Sequence, residues 1–390
     1  MKKYFQSQFL TNKYKIKIGI NAVRARSGGA HSHIVGLLQA VEPAQFRINE
    51  VHIWGNSDLL AKLPRLSWIH RHCPVCSQRS ILKQLAWEKF EFPRILNELH
   101  ISLLFNVDAG SLCLFKPAVT ASRDMLSYEP GEMSRFGFSS QRIRLLILKY
   151  VQNRALRNAD GVIFLTKYAG KVIQESCGLL PNVAYIPHGV GEEFKKVRPR
   201  IFPAGKKRIQ ILYVSNVAPY KHQWNVVEGV ARLREKGFAL KLFLVGGGGG
   251  VAMVKLEQSL SRWDPKGECV ELHPFADHQK IPAYLARADL FVFASSCENM
   301  PNTLLEAMAA GLPIACSDRG PMPEILKNGG IYFDPENPNT ISAALETLIR
   351  DTSQRQTLAA QAKKLASEYS WERCAENTFA FLSQTLKRNS

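Results

Sequence analysis

Two carboxylates eight positions apart, Glu298 and Glu306, stand in the segment Ser295-Ser-Cys-Glu298-Asn299-Met300-Pro301-Asn302-Thr303-Leu-Leu-Glu306-Ala-Met-Ala-Ala-Gly311-Leu-Pro313. The run before it, Ala288-Asp-Leu-Phe-Val-Phe-Ala294, reads as a short buried strand. After a polar loop the chain enters a helix that Gly311 and Pro313 bring to an end. A strand, a loop and a helix start make an anion site, because the first N–H groups of a helix lack partners and the helix dipole favours negative charge there. One glutamate in the loop and the other a turn or more into the helix suit a ligand that joins a diphosphate to hydroxyl-bearing sugar rings.

Set in Ser-x-x-Glu followed by Leu-Leu-Glu-Ala-Met-Ala-Ala-Gly-Leu-Pro, the pair resembles the donor-binding signature of retaining glycosyltransferases of family 4. The resemblance runs through most of the chain. It implies an α/β protein of GT-B fold, with two facing Rossmann-like domains and a cleft between them. It also implies that Glu298 lies by the transferred sugar and Glu306 holds the ribose hydroxyls, with Ser295 and Asn299 among the donor contacts. Pro301 has no N–H, so the anion contacts near it would fall to the backbone of Met300, Asn302 and Thr303.

Cleavage of a sugar–phosphate bond builds negative charge on the departing diphosphate, and the main catalytic task is to stabilise it in place. Lys221, in Val-Ala-Pro-Tyr-Lys-His, stands where the resembled family has a pyrophosphate-contacting lysine after Gly-Arg-x-x-x-x-Lys. Here Ser215 and Asn216 replace the glycine and the arginine, so one of two expected cations is absent. Arg123, or the Ser27-Gly28-Gly29 turn, would have to compensate. Arg123-Asp124 also occupies the place of a family His-Asp pair near the sugar. A guanidinium cannot act as a general base at neutral pH, so Arg123 would bind phosphate, while Asp124 would orient the acceptor or cap a turn. The expected catalytic set is Glu298, Lys221 and Asp124, with Gly246, after a strand, added to the donor contacts.

The resemblance implies retention of anomeric configuration with no metal and no cofactor beyond the nucleotide sugar itself. A double displacement needs a carboxylate nucleophile and a paired acid, and only Glu298 is an obvious candidate. Attack by the acceptor on the face from which the diphosphate leaves is therefore favoured. A nucleotide-sugar epimerase of the same fold, or a non-catalytic sugar- or polyanion-binding protein, are the alternatives.

These residues need two sets of alternating elements to position them. Strands are expected at 16–20, 51–54, 101–105, 118–120 and 161–165, then at 210–214, 240–245 and 288–294, with helical stretches between. A basic, proline-containing stretch over 194–208 reads as a linker. The expected units are an acceptor-side domain over 14–200, a nucleotide-sugar domain over 207–370, and a helix over 371–390 that crosses back to the first. The five glycines at 246–250 are consistent with a nucleotide-binding turn or a merely flexible one.

A chain of 390 residues with 46% hydrophobic and 22% charged residues has the size of two domains and the composition of a globular protein. The start of the chain lacks the continuous apolar core of a signal peptide, and a cytoplasmic location is expected. The eight cysteines are scattered; His70-Arg-His72-Cys73-Pro-Val-Cys76 has zinc-ligand types but no second pair nearby in sequence, so no metal is expected. Charge is uneven. Residues 1–200 hold 29 Lys and Arg against 14 Asp and Glu, and the remainder 22 against 19. That asymmetry suggests an anionic membrane surface or a lipid-linked acceptor, a glycan being the other acceptor class, and nucleic acid is not expected. The basic helix over 140–157 could lie on a bilayer or pack its apolar side on the first sheet.

Overall fold

The computed structural model describes residues 16–25, 28–75, 81–200, 202 and 208–389. Seven strands form the first sheet: β1 Ile16–Asn21, β2 Ile48–Trp54, β3 Ile69–His72, β4 Leu103–Asn106, β5 Ala118–Ser122, β6 Gly161–Phe164 and β7 Val183–Tyr185. Six form the second: β8 Ile209–Val214, β9 Leu240–Val245, β10 Val270–His273, β11 Leu290–Phe293, β12 Ile314–Ser317 and β13 Ile331–Phe333. The spatial orders are β3-β2-β1-β4-β5-β6-β7 and β10-β9-β8-β11-β12-β13, and the pairings are parallel. Both sheets are thus doubly wound and Rossmann-like. Strand order reverses beside β1 in one and beside β8 in the other, and ligands bind in open α/β sheets at such switch points, beyond the carboxyl ends of the strands.

Central strands bury both faces. All four residues of β4 and all four of β11 are buried, which requires helices on each side of the sheet. In the second domain Phe291, Phe293, Leu304, Leu305 and Met308 join a single large core. The helix Trp371–Arg388 places Cys374, Ala375, Phe379 and Leu382 in the first sheet's core beside Ile18, Ile34 and Leu37, so the end of the chain returns to the first domain. The stretch read as a loose linker is tighter at its start: Phe194, in a short helix Glu192–Lys195, and Val197 are buried in the second domain's core. Residues 201 and 203–207 of that stretch lie outside the described residues, as do 1–15 and Ser27.

The domains face each other through specific contacts. Thr166 Oγ1 donates to the carbonyl of Asn299 (3.1 Å), and Glu324 accepts from the N–H groups of Lys167 and Tyr168 (2.9 Å each), closing the open first turn of the helix Lys167–Cys177. Ser296 Oγ donates to Glu132 (2.6 Å) and lies 2.9 Å from His222 Nε2.

Candidate active site

Between the facing carboxyl ends of the two sheets lies a cavity of ≈ 390 Å³. The first domain lends it Gly28, Gly29 and Gly189, the second lends Asn216, Gly246, Asn302, Thr303 and Glu306, and Trp371 of the returning helix closes one side. The helix Asn302–Ala310 begins after Pro301, whose ψ of 79° is not helical, and no side chain caps it. Its end is a left-handed Gly311 at φ 78°, as the position of that glycine predicts. The expected backbone contacts need one correction. The Asn302 N–H is bonded to Met300 O (3.0 Å), which leaves Thr303 as the donor of this group that lines the cavity. The Asn302 side chain instead joins the domains, with Oδ1 3.2 Å from His188 Nδ1. A Cβ on Gly29 would come within 2.8 Å of Asn302 Nδ2, so a larger residue in the first domain's turn would push the Asn302 side chain aside.

Glu306 is buried at the cavity wall, with Oε1 2.7 Å from His278 Nε2. Burial pushes the Glu306 carboxyl up, and its bond to Glu306 pushes the His278 imidazole up in turn. The second oxygen, Oε2, has no hydrogen-bond partner among the described residues, so an acceptor is left for a ligand hydroxyl. Glu298 and Lys221 behave differently. They form an ion pair with each other, and Lys221 also lies 5.2 Å from the Tyr220 ring and 5.6 Å from that of Phe293. Neither lines the cavity. The expectation of a lysine presented to the diphosphate is corrected to that extent: Lys221 is 7% exposed, and an ammonium so far out of water needs an anion beside it.

Arg123 is the contrasting case. Burial lowers its guanidinium to about 10, against the opposing pull of Asp108, so it remains charged at neutral pH. Among the described residues no carboxylate lies within ion-pair distance of it, and its buried Nε has no hydrogen-bond partner. His188, pushed down to about 3 chiefly by burial and then by Arg123, and His33, lowered by the same causes together with His188, stack at 4.4 Å and stay neutral. A half-buried cation flanked by neutral rings, beside the Gly29 turn, is a place for a phosphate oxygen. Asp124 lies with Arg123 along a neighbouring cavity. Its carboxylate accepts from Leu126 N–H (3.0 Å) and Gln152 Nε2 (3.3 Å), so it holds a turn in this structure.

The remaining expected contacts divide. Gly246 and Asn216 line the cavity, and Gly246, at φ 135°, could carry no Cβ because the Ser215 carbonyl would be 2.1 Å away. Ser295 is fully buried and donates to Cys297 O (3.1 Å), Met300 is part of the core, and Asn299 donates to Asp124 O (3.4 Å); these three support the loop rather than line the cavity. Sequence reasoning missed His278, His33 and His188. His188 stands in Pro-His-Gly-Val, where Gly189 leaves no room for a Cβ against the backbone of Ser370 and Trp371; that run was the available signal.

Residues 195–365 match the glycosyl transferases group 1 family. An O-antigen chain mannosyltransferase B of Escherichia coli is 32% identical over 104 residues, which is 27% of this chain and only 27% of that relative's length. A GDP-mannose-dependent alpha-(1-6)-phosphatidylinositol monomannoside mannosyltransferase of Mycobacterium tuberculosis is 23% identical over 310 residues, 74% of this chain and 77% of the relative. The sucrose-phosphate synthase of Thermosynechococcus elongatus superposes with a TM-score of 0.75 at 18% identity, covering 96% of this chain and 100% of that one. The two doubly wound domains facing across a cleft are therefore a GT-B fold. The matched residues 195–365 are the part that carries the helix start, Glu298, Glu306 and Lys221, so the likeness to the glycosyl transferases group 1 falls on the donor side of the cleft.

Proposed function

We propose that this protein is a glycosyltransferase that moves a hexose from a nucleoside-diphosphate sugar to a glycan or lipid-linked acceptor, with retention of configuration and without a metal at the reacting centre. The observation that carries the reading is the cavity between the domains, where an uncapped helix start and Glu306, with a free buried oxygen, face the Gly28-Gly29 turn beside the unpaired Arg123. The helix start and Arg123 take the diphosphate, and Arg123 stands in for the cation that Asn216 does not supply. Glu306 Oε2 takes a ribose hydroxyl. When the diphosphate enters, Lys221 divides its contacts between phosphate and Glu298, and Glu298 turns to the sugar. The acceptor then attacks from the diphosphate side and a phosphate oxygen takes its proton. The mannosyltransferase relatives favour a GDP-mannose donor and a bacterial surface polysaccharide or glycolipid product.

The first domain supports a membrane-bound acceptor. The helix Ser140–Asn158 packs Leu145 and Leu156 inward, Leu156 in a core with Val162 and Phe164, and leaves a second apolar set outside: Ile143, Ile147 and Tyr150 are 61%, 60% and 70% exposed, and Phe138 just before it is fully exposed. Arg142, Arg144 and Lys149 surround these side chains in sequence, and the helix contains no acid. Apolar side chains ringed by cations fit an anionic lipid surface. No helix among the described residues is long and apolar enough to cross a membrane.

A thermal-shift series over GDP- and UDP-sugars tests the donor assignment, because a true donor raises the melting temperature by mass action. Transfer is then read as release of nucleoside diphosphate that requires acceptor. Turnover of donor alone to an isomeric sugar nucleotide would point to an epimerase, and no shift with any nucleotide sugar rejects the reading.

A further inference from the structure

At the edge of the first sheet, among residues that do not line the cleft cavity, β2 and β3 pair in parallel with His52 opposite His70 and Trp54 opposite His72. Strand alternation therefore puts Glu50, His52, His70 and His72 on one face. In sequence the His70 segment has no second ligand pair nearby; the fold supplies one from β2. Glu50 Oε2 lies 3.3 Å from His52 Nε2 and 3.9 Å from His70 Nε2, and the three ligand atoms fall within 4.8 Å of one another. Four ligands at zinc's usual bond lengths of about 2.0–2.1 Å sit roughly 3.3 Å apart at the corners of a tetrahedron, so small side-chain rotations bring this set to an ion. We propose that Glu50, His52 and His70 bind a zinc-type divalent ion, with water at the fourth position.

The surroundings carry the features of a metal site. His52 Nδ1 lies 3.0 Å from His72 Nε2, so with Nε2 on the metal the remaining His52 N–H donates to His72, the outer hydrogen bond that fixes a ligating imidazole. His52 stacks on His70 at 4.6 Å and His72 on Trp54 at 4.6 Å, which holds the rings in place before any ion arrives. Entry is open, since the His70 side chain is 43% and that of Glu50 25% exposed. Lys17 Nζ, 3.1 Å from Glu50 Oε2, is the cation that the metal displaces. N and O donors in a three-ligand set suit zinc. The ion would clip the edge strand β3 to β2 and serve stability of the first domain, apart from the glycosyl-transfer chemistry.

The test uses the full chain, stripped with chelator and titrated with Zn²⁺ by calorimetry, with Co²⁺ absorption as a geometry probe. Expected are one equivalent bound with Kd on the order of 1 µM or tighter, tetrahedral-type cobalt bands, and a melting temperature that rises with free zinc. His70→Ala and Glu50→Gln should each abolish the cobalt bands, and His72→Phe should weaken binding by about 10–100-fold, as loss of an outer partner does. Circular dichroism and nucleoside-diphosphate binding check that each variant folds; His70→Gln replaces His70→Ala if it does not. Absence of zinc uptake by the stripped chain, or uptake that His70→Gln and Glu50→Gln leave unchanged, would overturn the proposal.

Discussion

The two domains treat charge in opposite ways. In the second, the functional charges answer one another: Lys221 pairs with Glu298, His278 with Glu306, and Arg200 with Asp289 at its edge. In the first, the half-buried Arg123 has no ion-pair partner among the described residues, and the helix Ser140–Asn158 carries its cations with no acid in its sequence. A paired charge holds its own geometry until a ligand replaces one partner, whereas an unpaired one is completed only by something outside the chain. Under the proposed function, the second domain stores its catalytic groups in a neutral arrangement, and the first offers cations to a diphosphate at the cleft and to lipid headgroups at the surface.

The largest effect should come from breaking a stored pair. Lys221→Ala is expected to lower turnover by a factor on the order of 10² to 10³, the range for loss of one preorganised charge stabiliser. Because Lys221 and Glu298 act as a unit, Lys221→Ala with Glu298→Gln should be little worse than Lys221→Ala alone. Additive losses in single-turnover kinetics would mean that the two groups work separately and that their pairing is incidental.

The next effect belongs to the unpaired side. Replacing Arg142, Arg144 and Lys149 with glutamine removes three cations, each worth about 1 kcal/mol at an anionic surface, so vesicle binding at low salt should fall by roughly 100-fold. Salt should release the wild type as screening shortens the reach of those charges. Co-sedimentation with anionic vesicles measures both, and donor binding should not change. Salt-independent or absent binding would leave the charge excess without a membrane role and favour a soluble acceptor.

Much of this contrast was legible in the sequence, for physical reasons that differ by element. Apolar strands such as β9 and β11 announce themselves because little of them is exposed, all four residues of β11 and four of the six in β9 being buried, and Gly311 marks a helix end that only a left-handed residue can make. Strands β3 and β10, Ile-His-Arg-His and Val-Glu-Leu-His, lie at sheet edges with polar, partly exposed side chains, and the apolar pattern fails there. The glutamate pair was readable as a motif. Its partners were not, because His278 reaches Glu306, and Glu298 reaches Lys221, only through folding. The exposed apolar side of the helix Ser140–Asn158 was undecidable from periodicity, which marks an apolar side but not what covers it.

At the cleft itself the comparison can be sharpened with two substitutions of similar size. Arg123→Gln removes the unpaired cation and should weaken nucleoside-diphosphate binding by about tenfold or more, the worth of a charge-assisted hydrogen bond. Glu306→Ala should weaken donor binding by about tenfold with little change in turnover, since a ribose contact is much the same in ground and transition states. Equilibrium binding of free diphosphate separates them: phosphate-only ligands such as pyrophosphate should feel Arg123→Gln and ignore Glu306→Ala. The reverse pattern would exchange their roles.

The smallest effect is a pH dependence confined to the His278–Glu306 pair. The folded pKa of His278 is raised above its ordinary 6.5, first by its bond to Glu306, so its contribution to stability is fully present below that value and is lost as pH rises through the raised one. Glu306 is also raised, from 4.5, but by burial; the stability linked to its neutral form is present below the ordinary carboxylate value and lost as pH rises through its folded one. Both act in the same direction in successive windows. With the His278 side chain 45% exposed, the pair should be worth no more than ~1 kcal/mol. His278→Gln should remove the upper window, flattening the decline of melting temperature with pH above 6.5, and should push Glu306 further up, because the buried carboxylate loses its cation while keeping its burial. Melting curves of wild type and His278→Gln across the two windows measure the difference. Identical slopes above the ordinary histidine value would show that the imidazole stays neutral in the fold, and that the second domain holds Glu306 by a hydrogen bond without a charge to answer it.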